Sequence, residues 1–192
     1  MKIGIIGSGR IGSLIGRLWV RAGHEVKFSS RHPERLAALA SELGARASVG
    51  TPAEAAAFGE VILNSVPYAR VPDLGRSLAA EIQGKVVMET GNLYPQPDGA
   101  IVQTVIESGL GTGVWSARFL PGARVVRAFN TVWDQTLAKA IADGHGDRIG
   151  IPLAGDDPAA RASAFFRVSP PAITASEWGK GQNQIRYGAN RP

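Results

Sequence analysis

The sequence contains no cysteine among its 192 residues, so it has neither disulfide bonds nor thiolate metal sites. This absence is compatible with a reducing compartment. Aromatic residues make up only 7% of the chain, and no apolar run approaches the ~20 residues that a membrane span requires. The first residues carry one lysine and then a strand-like run broken by glycines, which is not the pattern of a signal peptide. We therefore expect a cytoplasmic protein without membrane association.

Acidic residues are in the minority, and the net charge of +5 raises the question of a nucleic-acid partner. Residues 1–157 carry 16 basic side chains against 15 acidic ones, whereas the last 35 residues carry five against one. The excess is therefore confined to a terminal segment, and its arginines do not form a continuous stripe. We expect no nucleic-acid partner.

Short apolar runs alternate with segments of helical periodicity over most of the chain. Strands are predicted at 2–6, 25–29, 46–49, 61–66, 85–89, 124–129 and 149–154, and helices at 11–22, 33–43, 52–57, 72–82, 101–107, 115–120 and 131–143. This alternation predicts an α/β fold with a Rossmann-type, doubly wound, mostly parallel sheet. We expect one domain, residues 1–160, followed by an atypical, irregular C-terminal tail at 161–192 that is rich in Gly, Pro, Gln and Asn.

The strongest local motif is a GxGxxG sequence formed by Gly7, Gly9 and Gly12, directly after the first predicted strand and at the start of the first helix. Gly7 permits a tight turn, Gly9 lets the backbone approach a pyrophosphate, and Gly12 allows close packing of helix and strand. The alternative is a glycine-rich turn without a ligand. We assign to the pyrophosphate loop the residues Gly7, Ser8, Gly9, Arg10, Ile11 and Gly12, whose backbone N–H groups and helix dipole favour phosphate. Gly16, one turn later, is expected to extend the close helix–sheet contact.

The end of the second strand indicates which nicotinamide cofactor fits. An NAD site normally places Asp or Glu there for the ribose 2′-hydroxyl. Here the position reads Ser29-Ser30-Arg31, and a serine can donate to a 2′-phosphate that a carboxylate would repel. Arg31 can bind that phosphate through two N–H groups, and Arg35 can add charge one turn later. We therefore interpret this turn as a binding site for the 2′-phosphate of NADP(H). The alternative is a basic turn that contacts only solvent.

Several motifs together resemble the coenzyme F420-dependent NADP oxidoreductase family. They are GSGRIG, AGHEVKFSSRHPERL, the strand-ending VP, ARVVRAFNT and LAGDD, and they extend over about residues 1–160. The resemblance implies a Rossmann domain that binds NADP, with a deazaflavin lying against the nicotinamide for direct hydride transfer. The implied site residues are 7–12 for the pyrophosphate, Ser30, Arg31 and Arg35 for the 2′-phosphate, Val66 and Pro67 along the cofactor, and Phe129, Asn130 and Thr131 near the nicotinamide.

The sequence departs from this family's pattern in two regions. Residues 89–95 read ETGNLYP where the family more often has Asp-Ala-Thr-Asn-Pro, although Asn92 is retained and is assigned to the cofactor site. The sequence beyond the GDD motif does not show the pattern of the helix and strand that family members usually have there. Because that region helps to form the second substrate's site, a flavin remains an alternative to the deazaflavin.

No acid–base constellation stands out, which is acceptable for hydride transfer because the cofactor carries the reactivity. Asn130 is the only candidate for orienting the nicotinamide or substrate; alternatively, it satisfies loop backbone at a strand end. His24 and His145 are interpreted as structural or exposed, and Asp156-Asp157 as a helix cap rather than a cation site, so no metal is expected. Three aromatic residues could stack on a flat substrate but are interpreted first as core or rim residues, namely Tyr94, Trp115 and Trp133.

The sequence thus predicts an enzyme, an NADPH-dependent oxidoreductase with a deazaflavin or flavin-like small-molecule partner. Alternatives are an NADPH-dependent reductase of a small carbonyl, imine or metal chelate, and a non-catalytic NADPH sensor. The tail is either a divergent terminus or the product of a shifted reading frame. In both cases a strand edge is left exposed, and we expect a homodimer.

Overall fold

The computed structural model describes residues 1–143, 149–168 and 173–177. The strands are β1 (Lys2–Ile6), β2 (Glu25–Ser29), β3 (Ala47–Gly50), β4 (Val61–Asn64), β5 (Val86–Glu89), β6 (Arg124–Arg127), β7 (Ile149–Leu153) and β8 (Ile173–Glu177). The helices are α1 (Arg10–Arg21), α2 (Ala37–Leu43), α3 (Pro52–Phe58), α4 (Val71–Ser77), α5 (Ala79–Ile82), α6 (Pro95–Asp98), α7 (Ala100–Glu107), α8 (Thr112–Arg118), α9 (Asp134–Asp143) and α10 (Pro158–Val168). Among the described residues, none of the helices has the length and apolar character that crossing a bilayer demands.

The first six strands form one parallel sheet in the order β3-β2-β1-β4-β5-β6. Helices cover both faces of the sheet. One face packs under α1, where Ile15 and Trp19 are completely buried, and the other packs under α3 to α5, where Val71 and Ile82 are buried. The predicted Rossmann-type doubly wound fold is confirmed, since this strand order is that of dinucleotide-binding domains.

Two predicted helices are interrupted in the structure. The segment predicted as a helix at 33–43 begins with a 3₁₀ turn at Pro33–Leu36 and becomes α-helical only in α2. The segment predicted at 72–82 is divided into α4 and α5 at Leu78, whose backbone leaves the helical region with φ −119°. The sequence pattern predicts helical segments at both places but does not reveal these backbone breaks.

The strand predicted at 149–154 does not join the main sheet. Instead, β7 pairs in parallel with β8, and Ala154, directly after β7, forms an isolated antiparallel bridge with Arg127 of β6. Pro152 lies within β7 and has no N–H to donate, which suits a strand outside a central ladder.

The prediction that the chain becomes irregular after Ala160 is wrong for the described part of the tail. Helix α10 continues to Val168, and 173–177 form β8. Asp157 caps the N-terminus of α10, because its Oδ1 accepts a hydrogen bond from the Ala160 N–H at 3.0 Å. The interpretation of Asp156-Asp157 as a helix cap is therefore confirmed at Asp157. The remainder of 161–192 lies outside the described residues.

Candidate cofactor site

The site lies where the strand order of the sheet reverses, between β1 and β4. Loops that leave these two strands diverge to opposite faces, and the resulting crevice at their carboxyl ends is where α/β proteins bind nucleotides. Gly7 follows β1, and residues 65–67 follow β4. The predicted pyrophosphate loop and the predicted Val66-Pro67 wall are therefore brought together at one crevice.

Two of the motif glycines, Gly7 and Gly12, have the steric roles that the sequence predicts. Gly7 has φ +92°, a conformation that side chains disfavour, and a Cβ there would collide with the Ser65 carbonyl. A Cβ on Gly12 would collide with the Gly7 carbonyl, which shows how closely α1 packs on the loop. Gly16 is likewise pressed against the ring of Phe28. Gly9 differs, because a Cβ there would meet nothing within 4 Å.

The open space at Gly9 fits a phosphate group. Gly9 caps α1 without a side-chain hydrogen bond, so the first N–H groups of this 12-residue helix point to a position that no protein side chain fills. The Ser8 hydroxyl in the same loop is buried and has no partner within the described residues. These features fit the pyrophosphate of a dinucleotide.

One detail of the predicted phosphate loop needs correction. The Ser8 N–H donates to the Ser29 carbonyl at 3.1 Å, so it holds the loop to β2 and is not directed at a ligand. The backbone donors of the cradle are therefore those of Gly9, Arg10 and Ile11, while Ser8 offers its hydroxyl.

The turn after β2 carries the predicted 2′-phosphate residues. Ser29 is completely buried and donates to the Ile5 carbonyl at 2.7 Å, so it cannot reach a ligand. Ser30 accepts from the His32 N–H at 3.1 Å, which leaves its hydroxyl proton to donate elsewhere. Arg31 and Arg35 are both exposed. The structure thus leaves a hydroxyl and two guanidinium groups at the expected position, with no carboxylate at Ser29 or Ser30.

A cavity of about 720 Å³ extends from the glycine loop across the ends of β4, β5 and β6. The residues assigned to the cofactor site that line its wall are Gly9, Arg10, Ile11, Val66, Pro67, Asn92, Phe129, Asn130 and Thr131. Arg10 also forms an ion pair with Asp134 at the start of α9, at 2.6 Å, on the rim of the cavity. The two regions assigned to the pyrophosphate and to the nicotinamide therefore share one continuous space.

Beneath this cavity lies a buried ion pair between Glu89 and Arg127. The two residues end neighbouring strands and are direct partners in the register of β5 and β6. Their side chains are only 1% and 6% exposed. Burial raises the pKa of the Glu89 carboxyl above its ordinary value, and the Arg127 charge opposes this rise. The Gly91 N–H donates to the other Glu89 oxygen at 2.6 Å.

The ion pair connects to the cavity wall through Asn92. Arg127 lies 3.4 Å from the Asn92 side-chain oxygen, and the Asn92 amide donates to the Asn130 carbonyl at 2.6 Å. The sequence predicts Asn92 as a cofactor ligand. In the structure, its side-chain amide joins the loop after β5 to the loop after β6. Phe129, next to Asn130, has φ +62°, a conformation that costs free energy in a non-glycine residue.

The aromatic candidates fall into two groups. Trp115 is buried beside Tyr68, with ring centroids 5.1 Å apart, and belongs to the core. Tyr94 and Trp133 are 52% and 78% exposed and both line the cavity. The interpretation of these residues as core or rim aromatics agrees with their positions.

The histidines that the sequence analysis considered do not contribute to the described wall of the cavity. His24 is partly buried, and desolvation lowers its pKa. His145 lies outside the described residues. Within the described part of the chain, no cluster of His, Asp and Glu has the composition to hold a metal ion.

The sequence analysis missed the Glu89–Arg127 pair. The sequence feature that could have indicated it is a pair of opposite charges, Glu89 and Arg127, each at the end of an apolar strand. In the structure these two strands are neighbours. Sequence alone did not show that β5 and β6 are adjacent and in this register, so the charges were not paired.

Comparisons with known proteins place this geometry in context. Residues 2–93, just under half of the chain, match the family described as NADP oxidoreductase, coenzyme F420-dependent. No curated protein matches the sequence.

Three solved structures show the same fold. A hypothetical protein from Sinorhizobium meliloti is 24% identical, with a TM-score of 0.77 over 92% of this chain and 84% of that one. A proposed F420-dependent NADP reductase from an Arthrobacter species is also 24% identical, with a TM-score of 0.73 over the same shares. Pyrroline carboxylate reductase from Plasmodium falciparum, solved with NADP bound, is 11% identical, with a TM-score of 0.63 over 93% of this chain and 58% of that one.

The family and these reductases are NADP-dependent oxidoreductases, which agrees with the predicted enzyme class. Over residues 2–93, this chain matches the coenzyme F420-dependent NADP oxidoreductase family, and the resemblance predicted from its motifs is confirmed.

Proposed function

We propose that this protein transfers hydride between NADP(H) and a deazaflavin or flavin-like acceptor. One observation carries the proposal: the open glycine cradle, which the Ser8 N–H joins to the end of β2, lies at one end of a cavity that continues past the cradle. The family match over residues 2–93 supports the nucleotide. The space beyond the cradle supports a second bound molecule.

The nucleotide end of the site is formed by backbone groups and guanidinium groups. The N–H groups of Gly9, Arg10 and Ile11 bind the pyrophosphate, aided by the positive end of the α1 dipole. Ser30, Arg31 and Arg35 bind the 2′-phosphate, since charge-assisted hydrogen bonds to phosphate are strong and directional. An NADH molecule lacks that phosphate and therefore binds more weakly.

The reacting end of the site depends on alignment. NADPH bound in this site would supply a hydride, which is two electrons with one hydrogen nucleus, and an acceptor ring that received it would also take a proton from solvent. Val66 and Pro67 form one wall for the nicotinamide, and Asn130 orients its amide group. Positioning of this kind accounts for much of the rate of a transfer between two bound rings.

Anaerobic oxidation of NADPH, followed with a panel of acceptors, tests the proposal. The panel comprises a 5-deazaflavin, FMN, a quinone, a ferric chelate and a cyclic imine. We expect reduction of the deazaflavin or FMN. Turnover with the imine or the chelate alone would replace the ring acceptor with the small-molecule alternative, and tight NADPH binding without any turnover would identify a sensor.

We also propose that the protein is a homodimer. Within the described residues, β8 pairs only with β7, and an unpaired strand edge of this kind can pair with another chain. Light scattering of the full chain at tens of micromolar is expected to give twice the mass of 20.2 kDa. A monodisperse monomer would refute this proposal.

A further inference from the structure

Exposed aromatic side chains are concentrated at the mouth of the cavity. In the described part of the chain, three large hydrophobic residues are exposed, Tyr94, Ile106 and Trp133. Tyr94 and Trp133 both line the cavity, whereas Ile106 lies on α7 outside it. Exposed apolar surface gathered at a concave site marks a binding surface more often than scattered exposure does.

The backbone that carries Tyr94 is fixed by a buried carboxylate. The Tyr94 N–H donates to Asp98 Oδ2 at 2.9 Å, and the Ala69 N–H donates to Asp98 Oδ1 at 3.0 Å. Asp98 is only 5% exposed. Asp98 in α6 therefore holds the backbone at Tyr94 and also joins it to the segment after β4.

The backbone that carries Trp133 is fixed on both sides. Three residues before it, the Asn130 carbonyl accepts from Asn92, which lies two residues before Tyr94. One residue after it, Asp134 forms the ion pair with Arg10 on the glycine loop. The two aromatic side chains thus stand on loops that are joined to each other and to the nucleotide cradle.

We infer that Tyr94 and Trp133 form the stacking surface for the ring of the second substrate, and that this substrate is a planar, fused-ring compound. Aromatic side chains bind flat rings through offset stacking, whereas a small carbonyl or imine offers little area for such contacts. Held beside the cradle, the two side chains place the acceptor ring at the nicotinamide end of the cavity. This inference rests on the proposed function and specifies which acceptors the site takes.

Binding of FMN and of 5-deazariboflavin, with the cradle saturated by NADP⁺, tests the inference without turnover. Fluorescence anisotropy of the ring compound reports binding in every variant, because it does not depend on quenching by the tryptophan. Trp133→Ala is expected to weaken binding of both compounds roughly 10-fold, and Trp133→Phe by only about twofold, because Phe retains a ring face. Ile106→Ala serves as the matched control and is expected to bind like the unchanged protein.

Two further measurements separate the possible outcomes. Affinity for NADPH, measured by calorimetry, is expected to stay within about twofold in Trp133→Ala, because the stacking surface does not hold the nucleotide phosphates. Equal affinity of Trp133→Ala and unchanged protein for both ring compounds would overturn the inference, while NADPH-dependent reduction of those rings would still support the proposed function. A shift of Trp133→Ala from dimer to monomer in light scattering would also overturn it, because the tryptophan would then belong to a subunit interface.

Discussion

Removing Arg127 is predicted to destabilise the fold strongly, because it leaves a carboxylate without its cation in the interior. In Arg127→Met, the Glu89 side chain stays 1% exposed and keeps the Gly91 N–H as a donor. Breaking a buried ion pair from one side typically costs about 3–5 kcal/mol. For a chain of this length each kcal/mol lowers Tm by about 2–4 °C, so we expect a loss of roughly 6–20 °C.

The double variant Glu89→Gln/Arg127→Met isolates the interaction itself. A glutamine oxygen can still accept from the Gly91 N–H, and no unpaired charge remains, so part of the lost stability should return. Urea unfolding followed by circular dichroism gives the free energy of unfolding of all four proteins. We expect a coupling free energy within the range of about 0.5–3 kcal/mol that contacting residues show, near its upper end. Single-variant effects that add to within about 0.5 kcal/mol would refute the reasoning.

Three further predictions concern the cofactor turn, the helix–sheet contact and acid stability. Arg31→Ala should weaken NADPH binding roughly 10- to 150-fold, because a charge-assisted phosphate contact contributes about 1.5–3 kcal/mol. The affinity for NADH should stay nearly unchanged. Equal losses of affinity for both nucleotides in calorimetry would reject the assignment of Arg31 to the 2′-phosphate. Gly16→Ala should lower the free energy of unfolding by about 1–3 kcal/mol, since its Cβ would overlap the ring of Phe28, and an unchanged urea midpoint would count against that packing. The hydrogen bond from Arg124 holds the pKa of Asp157 at about 2, below its ordinary value, so this carboxylate stabilises the fold above about pH 4 and loses that contribution as the pH falls towards 2. Asp157→Asn should therefore flatten the acid limb of the stability curve, and an equally steep limb would contradict the prediction.

The nucleotide half of the site was predictable because its geometry is local. The glycine motif, the strand before it and the helix after it are contiguous, and Gly7 and Gly12 meet steric constraints within the loop itself or directly after the adjacent strand β4. The structure accordingly shows the tight turn at Gly7 and the close packing at Gly12 that the spacing predicts, and it leaves the space beside Gly9 open. A threonine directly before a proline likewise predicts an N-cap at Thr51, and in the structure its side chain caps α3 in a capping box with Glu54.

The rest of the site could not be predicted from local patterns. The Glu89–Arg127 pair joins residues 38 positions apart, and its existence depends on which strands are neighbours. The position of Trp133 on the cavity rim likewise follows from α9 packing beside α1, which periodicity does not reveal. The sequence also does not show where the main sheet ends. An apolar strand pattern at β7 does not specify the strand with which β7 pairs.

A calorimetric titration of the unchanged protein and of Gly9→Val with NADPH and NADH tests the central claim most directly. The claim is that the loop at residues 7–12 holds NADPH. We predict one site per chain, at least about tenfold tighter for NADPH than for NADH, and no measurable binding to Gly9→Val although circular dichroism shows it folded. Equal affinity for the two nucleotides, or near-native NADPH binding by the folded variant, would contradict the assignment of the cofactor to this loop.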